Sequence, residues 1–158
     1  MKNDISKEQA LKKAMSVCSH KELCCAEIAE KLTAWGVDKN IIPEITDDLM
    51  SQNFIDHNRY ALAYMRDKIR LNKWGLQKIR FMLHRKRIAD NHINSAEQEI
   101  DQLEYMKIVE AEVLKKYKTD LQSKNFDHKT MKAKLLNWAQ QRGYETDRVS
   151  QMFSRLVS

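Results

Sequence analysis

The chain of 158 residues carries 28 lysines and arginines against 22 aspartates and glutamates, a formal net charge of +6. It contains only three glycines and one proline, a scarcity of turn residues that argues against a sheet protein with many tight hairpins. No segment approaches the roughly 18 to 20 uninterrupted apolar residues that span a bilayer, and the first residues lack the apolar core of a signal peptide. We therefore expect a helical, cytoplasmic protein with no membrane contact.

The first three predicted helices form one unit. The first runs from Ile5 to about His20 and the second from about Leu23 to Trp35, with Gly36 at a left-handed C-terminal position. The third begins near Asn40, as its N-cap, which places Pro43 in the first turn. The apolar stripes of the first two helices are Ala10, Leu11, Ala14, Val17 and Cys18, then Ile28 and Leu32.

The three cysteines lie in this unit. Cys18, Cys24 and Cys25 cannot all pair, and the chain is not a small disulfide scaffold. Neighbouring Cys24 and Cys25 point about 100° apart on a helix, so they do not readily share a metal ion with His20. We predict buried or half-buried free thiols, no metal and no cofactor.

The unit repeats along the chain. At a shift of 51 residues, apolar positions coincide: Ala10 with Ala61, Leu11 with Leu62, Ile28 with Ile79, Leu32 with Leu83, Val37 with Ile88, Ile42 with Ile93 and Leu49 with Ile100. At a shift of 107 the later part recurs: Ile28 with Leu135, Leu32 with Ala139, Gly36 with Gly143, Val37 with Tyr144, Ile42 with Val149, Ile45 with Met152 and Leu49 with Leu156. The third helices would begin at the N-caps Asn40, Asn91 and Asp147.

These repeats predict the architecture. We expect an all-α protein of three tandem three-helix repeats in an elongated, curved array, since single units of this size bury too little surface alone. The predicted boundaries are residues 1–53, 54–102 and 103–158. The first helix of the third repeat is out of step, which a longer connection near Asp120 to Asn125 would explain.

The positive charge is concentrated in the middle repeat. Between residues 59 and 87 only Asp67 is acidic, and the basic residues are Arg59, Arg66, Lys68, Arg70, Lys73, Lys78, Arg80, Arg85, Lys86 and Arg87. A solvated helix face normally mixes both signs, so this surplus favours a polyanionic partner, nucleic acid or an acidic protein surface. Trp74, in the turn between two basic helices, would either stack on a base or anchor packing.

Sequence signals for other activities are absent. The five histidines are scattered without an acid pair, a phosphate-binding loop or a nucleophile motif, which argues against an enzyme. Zinc-finger spacing and a base-reading helix are also missing, so phosphate contacts fit better than sequence-specific readout.

Several stretches of the middle repeat together resemble the RecX family. They are Asn53-Phe54-Ile55-Asp56-His57-Asn58-Arg59-Tyr60-Ala61, Tyr64-Met65-Arg66 and Trp74-Gly75-Leu76-Gln77-Lys78-Ile79 with Leu83. The first repeat adds Glu27-Ile28-Ala29-Glu30-Lys31-Leu32 and Gly36. His57 stands where the family usually has an acid, and Asn53 and Arg87 stand where it often has glycine. Asn53 can adopt the left-handed conformation, whereas we expect Arg87 to need a different helix ending.

The resemblance implies a function. RecX proteins bind RecA recombinase in the groove of its filament on single-stranded DNA and suppress its ATP hydrolysis, strand exchange and growth. We thus expect a non-enzymatic monomer whose partners are the RecA filament and single-stranded DNA, with double-stranded DNA as a further candidate. The contact residues would be Trp74 and the ten basic residues. The alternative is a helical-repeat DNA-binding or adaptor protein that acts independently of RecA.

Overall fold

The computed structural model describes residues 5–158, which form nine α-helices and no strand. The helices fall into three consecutive sets of three, as the sequence predicts. The first set is α1 Lys7–His20, α2 Cys25–Ala34 and α3 Ile42–Ser51; the middle set is α4 His57–Arg70, α5 Leu76–Arg85 and α6 Asp90–Glu99; the third set is α7 Gln102–Lys116, α8 His128–Arg142 and α9 Thr146–Val157. None of these helices is both long and apolar enough to cross a membrane.

The helices pack into two compact units. The first unit comprises the described residues up to Ala63 together with Leu83–Ala96, and the second comprises Tyr64–Met82 and Glu97–Ser158. Helices α4, α5 and α6 therefore each contribute residues to both units. The two units do not coincide with the three sequence repeats, and the repeat boundaries stay a prediction.

Each unit has its own apolar core, built from the residues that the repeat pairs. Ile28 and Leu32 of α2 are fully buried in the first unit, while Ile79 of α5 and Leu135 and Ala139 of α8 are fully buried in the second. Burial of each isoleucine or leucine side chain contributes about 1.5–3 kcal/mol. The equivalence of these positions confirms the repeat.

Three helix ends share one backbone conformation, including the one at Arg87. Gly36, Arg87 and Gly143 follow the second helix of each repeat with φ angles of 85°, 62° and 86°. The next amide donates back into the helix each time: Val37 N to Leu32 O at 3.0 Å, Ile88 N to Leu83 O at 3.1 Å and Tyr144 N to Ala139 O at 2.9 Å. The expectation of a different ending at Arg87 is thus wrong, because the backbone bonds and the apolar residue that follows impose the same Schellman geometry. Asn53 takes the left-handed conformation as predicted, with φ 63°.

The third helix of each repeat begins elsewhere than predicted. Asn40 precedes α3 by two residues, because its amide donates to Oδ1 of Asp38 (2.9 Å) in a separate turn. Asn91 and Asp147 lie inside the first turns of α6 and α9. These three residues are therefore not N-caps. The N-cap of α3 is Ile41, that of α9 is Glu145, and Pro43 does lie in the first turn of α3.

The connection between α7 and α8 is longer than its counterparts, as the shifted register of the third repeat predicts. It contains a π-helical turn, Tyr117–Leu121, and a further turn through residue 125. Tyr117 and Leu121 are buried, which fixes this segment to the core of the second unit.

Candidate functional site

The predicted contact residues fall into both units. Arg59, Arg85, Lys86 and Arg87 belong to the first unit. The second unit holds Arg66, Lys68, Arg70, Lys73, Trp74, Lys78 and Arg80.

Two cations of the first unit are bound by acids of the first repeat. Nε of Arg59 donates to Glu22, and Nη2 of Arg59 donates to the carbonyl oxygens of Asn53 (3.1 Å) and Phe54 (3.3 Å). Nζ of Lys86 lies 3.2 Å from Oε2 of Glu27. Both cations therefore link the middle repeat to the first repeat within the first unit. Arg85 and Arg87 are exposed, and no carboxylate among residues 5–158 lies within 4.0 Å of either.

Glu27 is the most heavily used of these acids. Its Oε1 accepts from the backbone amide of Cys24 at 3.1 Å, which caps α2, while its Oε2 accepts from Lys86. Burial acts to raise the pKa of Glu27, but the Cys24 amide, Lys86 and Tyr60 outweigh burial and lower it. The carboxylate is thus stabilised in its charged form.

Two cations of the second unit are also paired. Arg70 forms a bidentate pair with Glu104, Nε to Oε1 at 2.7 Å and Nη2 to Oε2 at 3.1 Å. The hydrogen bond from Arg70 lowers the pKa of Glu104. Nη1 of Arg80 lies 3.3 Å from Oε2 of Glu97.

The remaining cations of the second unit lie on α4, on α5 and in the turn between them, and two of them contact Trp74. Nζ of Lys68 lies 4.9 Å and Nζ of Lys78 lies 4.3 Å from the ring centroid of the half-buried Trp74, within cation–π range. Lys73 precedes the tryptophan, and its Nζ donates to Arg70 O at 2.7 Å. Among the described residues, no carboxylate lies within 4.0 Å of Arg66, Lys68, Lys73 or Lys78. We call Arg66, Lys68, Lys73, Trp74 and Lys78 the α4–α5 cluster.

The backbone of the α4–α5 turn is held by the third repeat. The amides of Gly75 and Gln77 donate to the carbonyl oxygens of Arg142 (2.7 Å) and Gly143 (3.0 Å) at the end of α8. The free amides at the start of α5 thereby satisfy free carbonyls at the end of α8.

Two buried tyrosines complete this support. Tyr105 OH accepts from the amide of Leu76 at 3.0 Å and donates to Glu145 at 3.1 Å. Tyr144 OH donates to the carbonyl oxygen of Lys73, whose φ of 57° is left-handed. Burial is the main cause that raises the pKa of Tyr144 to about 12, so its hydroxyl stays a donor at neutral pH.

The α4–α5 turn and the end of α8 approach so closely that each requires a glycine at the contact. A Cβ on Gly75 would lie 2.2 Å from the carbonyl carbon of Gly143 and 2.4 Å from the nitrogen of Tyr144. A Cβ on Gly143 would lie 2.3 Å from Cβ of Lys78. This contact fixes where Lys73, Trp74 and Lys78 stand on the surface.

The residues of the α4–α5 cluster were all predicted from the sequence as contact residues. The contacts that hold the α4–α5 turn were not predicted. The glycine before α5 and the glycine after α8 are visible signals, yet nothing in their spacing says that they touch. Tyr105 and Tyr144 look like core aromatics, and their hydroxyl partners lie 29 and 71 residues away.

The three cysteines and His57 lie in the first unit. The cysteines are free, with Cys24 buried and Cys18 and Cys25 half-buried, as predicted. Nε2 of His57 accepts from the amide of Cys25 at 3.2 Å, and the His57 ring meets His92 edge-on at 5.8 Å between centroids. Burial first, and His92 second, lower the pKa of His57, while Asp56 acts to raise it.

Comparisons with known proteins agree with the repeat architecture. The family model described as the second three-helix domain of RecX matches residues 56–96, which hold α4, α5 and most of α6. Two crystal structures share the fold. A regulatory protein RecX has a TM-score of 0.81 at 20% identity over 94% of this chain and 73% of its own, and RecX from Lactobacillus salivarius has 0.79 at 18% over 95% and 96%.

Relatives in sequence carry the same name. The regulatory protein RecX of Acinetobacter baylyi is 29% identical over 143 residues, which cover 90% of this chain and 85% of that protein. That of Clostridioides difficile is 26% identical over 150 residues, 95% of this chain and 69% of that protein. These matches span nearly the whole chain, so this protein is similar in sequence to regulatory proteins named RecX and shares the fold of their crystal structures.

Proposed function

We propose that this protein binds the RecA recombinase filament on single-stranded DNA and inhibits its ATP hydrolysis, strand exchange and growth, acting by binding and without catalysis. The similarity to regulatory proteins named RecX supports a regulatory role. The name shared by the relatives, together with the resemblance found in the middle repeat, points to RecA as the target.

The observation that carries the proposal is the α4–α5 cluster. Its four cations, two of which lie within cation–π range of Trp74, have no carboxylate within 4.0 Å among the described residues. Like charges held together cost stability unless an anion neutralises them, and DNA phosphates or acidic protein edges supply such anions. The cluster also lies within the segment that the RecX family model matches.

The rigid support of the turn suits this role. A binding group that is already ordered loses less conformational entropy when the partner arrives. Phosphate contacts by Lys68, Lys73 and Lys78 would set position without reading sequence. Contacts of the outer repeats with neighbouring RecA subunits would then favour a filament state that cannot cycle ATP or extend.

The test is a RecA ATPase assay on single-stranded DNA with increasing amounts of this protein. The parent should inhibit. A Lys68→Ala, Lys73→Ala, Lys78→Ala variant should need about tenfold more protein for half-inhibition, the change expected for about 1.4 kcal/mol of lost contact energy. The matched control removes three exposed lysines of the first unit, Lys12, Lys31 and Lys39, and should inhibit like the parent.

Two outcomes would reject parts of the proposal. If the parent binds single-stranded DNA tightly yet leaves RecA unaffected, it acts as a DNA-binding protein independent of RecA. Equal inhibition by the triple variant and its control would show that the α4–α5 cluster is not the working surface.

A further inference from the structure

A second group of cations surrounds the connection between α7 and α8. Residues 115–134 contain seven lysines and two aspartates, a net charge of +5. A charge sum over everything outside residues 59–87 hides this segment, because residues 88–114 contain seven acids and only one lysine.

Both aspartates of the segment are engaged locally. Oδ2 of Asp120 lies 2.8 Å from Nζ of Lys116, and Oδ1 of Asp127 accepts from the amide of Thr130 at 2.7 Å as the N-cap of α8. The other six lysines are exposed, with no carboxylate within 4.0 Å among the described residues. They are Lys115, Lys118, Lys124, Lys129, Lys132 and Lys134. We call them the α7–α8 cluster.

The two clusters occupy equivalent places in their repeats. In the middle and third repeats, the connection between the first and second helices is flanked by cations of both helices. Lys68, Lys73 and Lys78 stand before, in and after the α4–α5 turn, and Lys118, Lys124 and Lys129 stand likewise at the α7–α8 connection. An aromatic residue accompanies each set: Nζ of Lys134 lies 5.0 Å from the ring centroid of Phe126.

The local structure presents these lysines outward at an electrostatic cost. Tyr117 and Leu121 of the π-helical turn are buried while Lys118 between them is exposed, and π-helical turns are frequent at functional sites. The first turn of α8 contains Lys129 and no acid, although the positive end of the helix dipole disfavours cations there. An anionic partner would relieve both the dipole repulsion and the mutual repulsion of the lysines.

We propose that the α7–α8 cluster is a second surface that binds the phosphate backbone of nucleic acid. It rests on the proposed function only in that the protein binds DNA. Lysine ammonium groups are compact point charges that contact phosphates without sequence preference. The third repeat thus adds DNA contacts of its own, besides holding the α4–α5 turn.

The experiment measures binding of the full chain to a fluorescent oligothymidylate by anisotropy over a series of salt concentrations. Lys118, Lys124, Lys129 and Lys132 are changed together to Ala. If each lysine neutralises one phosphate, the slope of log K against log salt should become less steep by about 2 to 3. The control variant replaces Lys12, Lys21, Lys31 and Lys39 with Ala, loses the same charge, and should keep the parent slope.

A slope equal to that of the control would overturn the proposal. This result is separate from the RecA assay, because a failure to inhibit RecA does not alter the salt dependence of DNA binding. Circular dichroism checks that the variant is folded. A second measurement uses the unaltered protein: the oligonucleotide should protect Lys118, Lys124 and Lys129 from an acetylating reagent and leave Lys12 and Lys39 reactive. Equal reactivity with and without DNA would also overturn it.

Discussion

The turn between the first and second helix differs between the first repeat and the middle repeat. In the first unit the α1–α2 turn supplies Glu22, and α2 supplies Glu27, which bind Arg59 and Lys86. In the second unit the α4–α5 turn supplies cations instead, and the end of α8 holds its backbone. The comparison shows that cations close together in the sequence can differ in pairing: Arg59 and Lys86 bind carboxylates of the first repeat, whereas the cations of the α4–α5 cluster have no carboxylate within 4.0 Å among the described residues.

Gly75→Ala should lower the free energy of unfolding more than the other changes proposed below, because it disrupts the backbone contact of the α4–α5 turn in the second unit. Gly75→Ala places a methyl group 2.2 Å from the carbonyl carbon and oxygen of Gly143. Because backbone cannot yield as a side chain does, we expect a loss of about 2–4 kcal/mol in the free energy of unfolding, measured by urea denaturation. Gly36→Ala in the first unit should cost only about 1 kcal/mol, since its strain is a left-handed φ alone. Equal losses would contradict the close packing at Gly75.

A smaller effect is expected from removing a paired acid of the first unit. Glu27→Ala removes the cap of α2 and the acceptor of Lys86, so the free energy of unfolding should fall by about 1–2 kcal/mol. Glu30→Ala on the exposed side of the same helix is the control and should change it by less than about 0.5 kcal/mol. DNA binding of the Glu27→Ala protein should stay near that of the parent. A loss of DNA affinity as large as for the lysine variants would erase the distinction between the two groups of cations.

Exchanging arginine and glycine at equivalent helix ends tests the energetic cost of the left-handed conformation at Arg87. Arg87→Gly should raise the free energy of unfolding by about 0.5–1 kcal/mol, because the left-handed conformation at φ 62° costs a side-chain-bearing residue more than glycine. Thermal denaturation of the variant measures the gain. Gly36→Arg is the reverse change at the equivalent position and should lower stability. A destabilised Arg87→Gly protein would mean that the arginine side chain makes a stabilising contact.

The free energy of unfolding should also depend weakly on pH, because of His57 in the first unit. Folding lowers the pKa of His57, so the unfolded chain binds a proton more readily than the folded one. The contribution of the neutral His57 ring to the free energy of unfolding is fully present above the pKa of His57 in the unfolded chain. It is lost as the pH falls through that value towards the lower pKa of the folded protein. Protonation would remove the acceptor of the Cys25 amide, oppose His92, and add charge near Lys86 and Arg87, while Asp56 would offset part of this.

Denaturation between about pH 7 and pH 5 measures this dependence. The parent should lose stability more steeply than His57→Gln, in which a neutral amide oxygen can take the place of Nε2. Parallel pH profiles of the two proteins would show that His57 does not contribute.

The sequence predicted the helical class well because helices and their repeats leave local signals. Ile28, Ile79 and Leu135 are spaced for one buried stripe in each repeat, and all three are fully buried. Gly36, Gly143 and Asn53 marked left-handed positions. The predicted N-caps are wrong, because Asn40 belongs to a separate turn before α3, as its bond to Asp38 shows, and Asn91 and Asp147 lie inside α6 and α9.

What the sequence determined by itself was the periodic part: three sets of helices, their buried faces and a surplus of cations in the middle repeat. Tertiary structure alone decided which of those cations are neutralised. Arg59 finds Glu22 across 37 residues, Lys86 finds Glu27 across 59, and Arg70 finds Glu104 across 34. An ion pair depends on distance in space, and chain separations of this length carry no local pattern that reveals it.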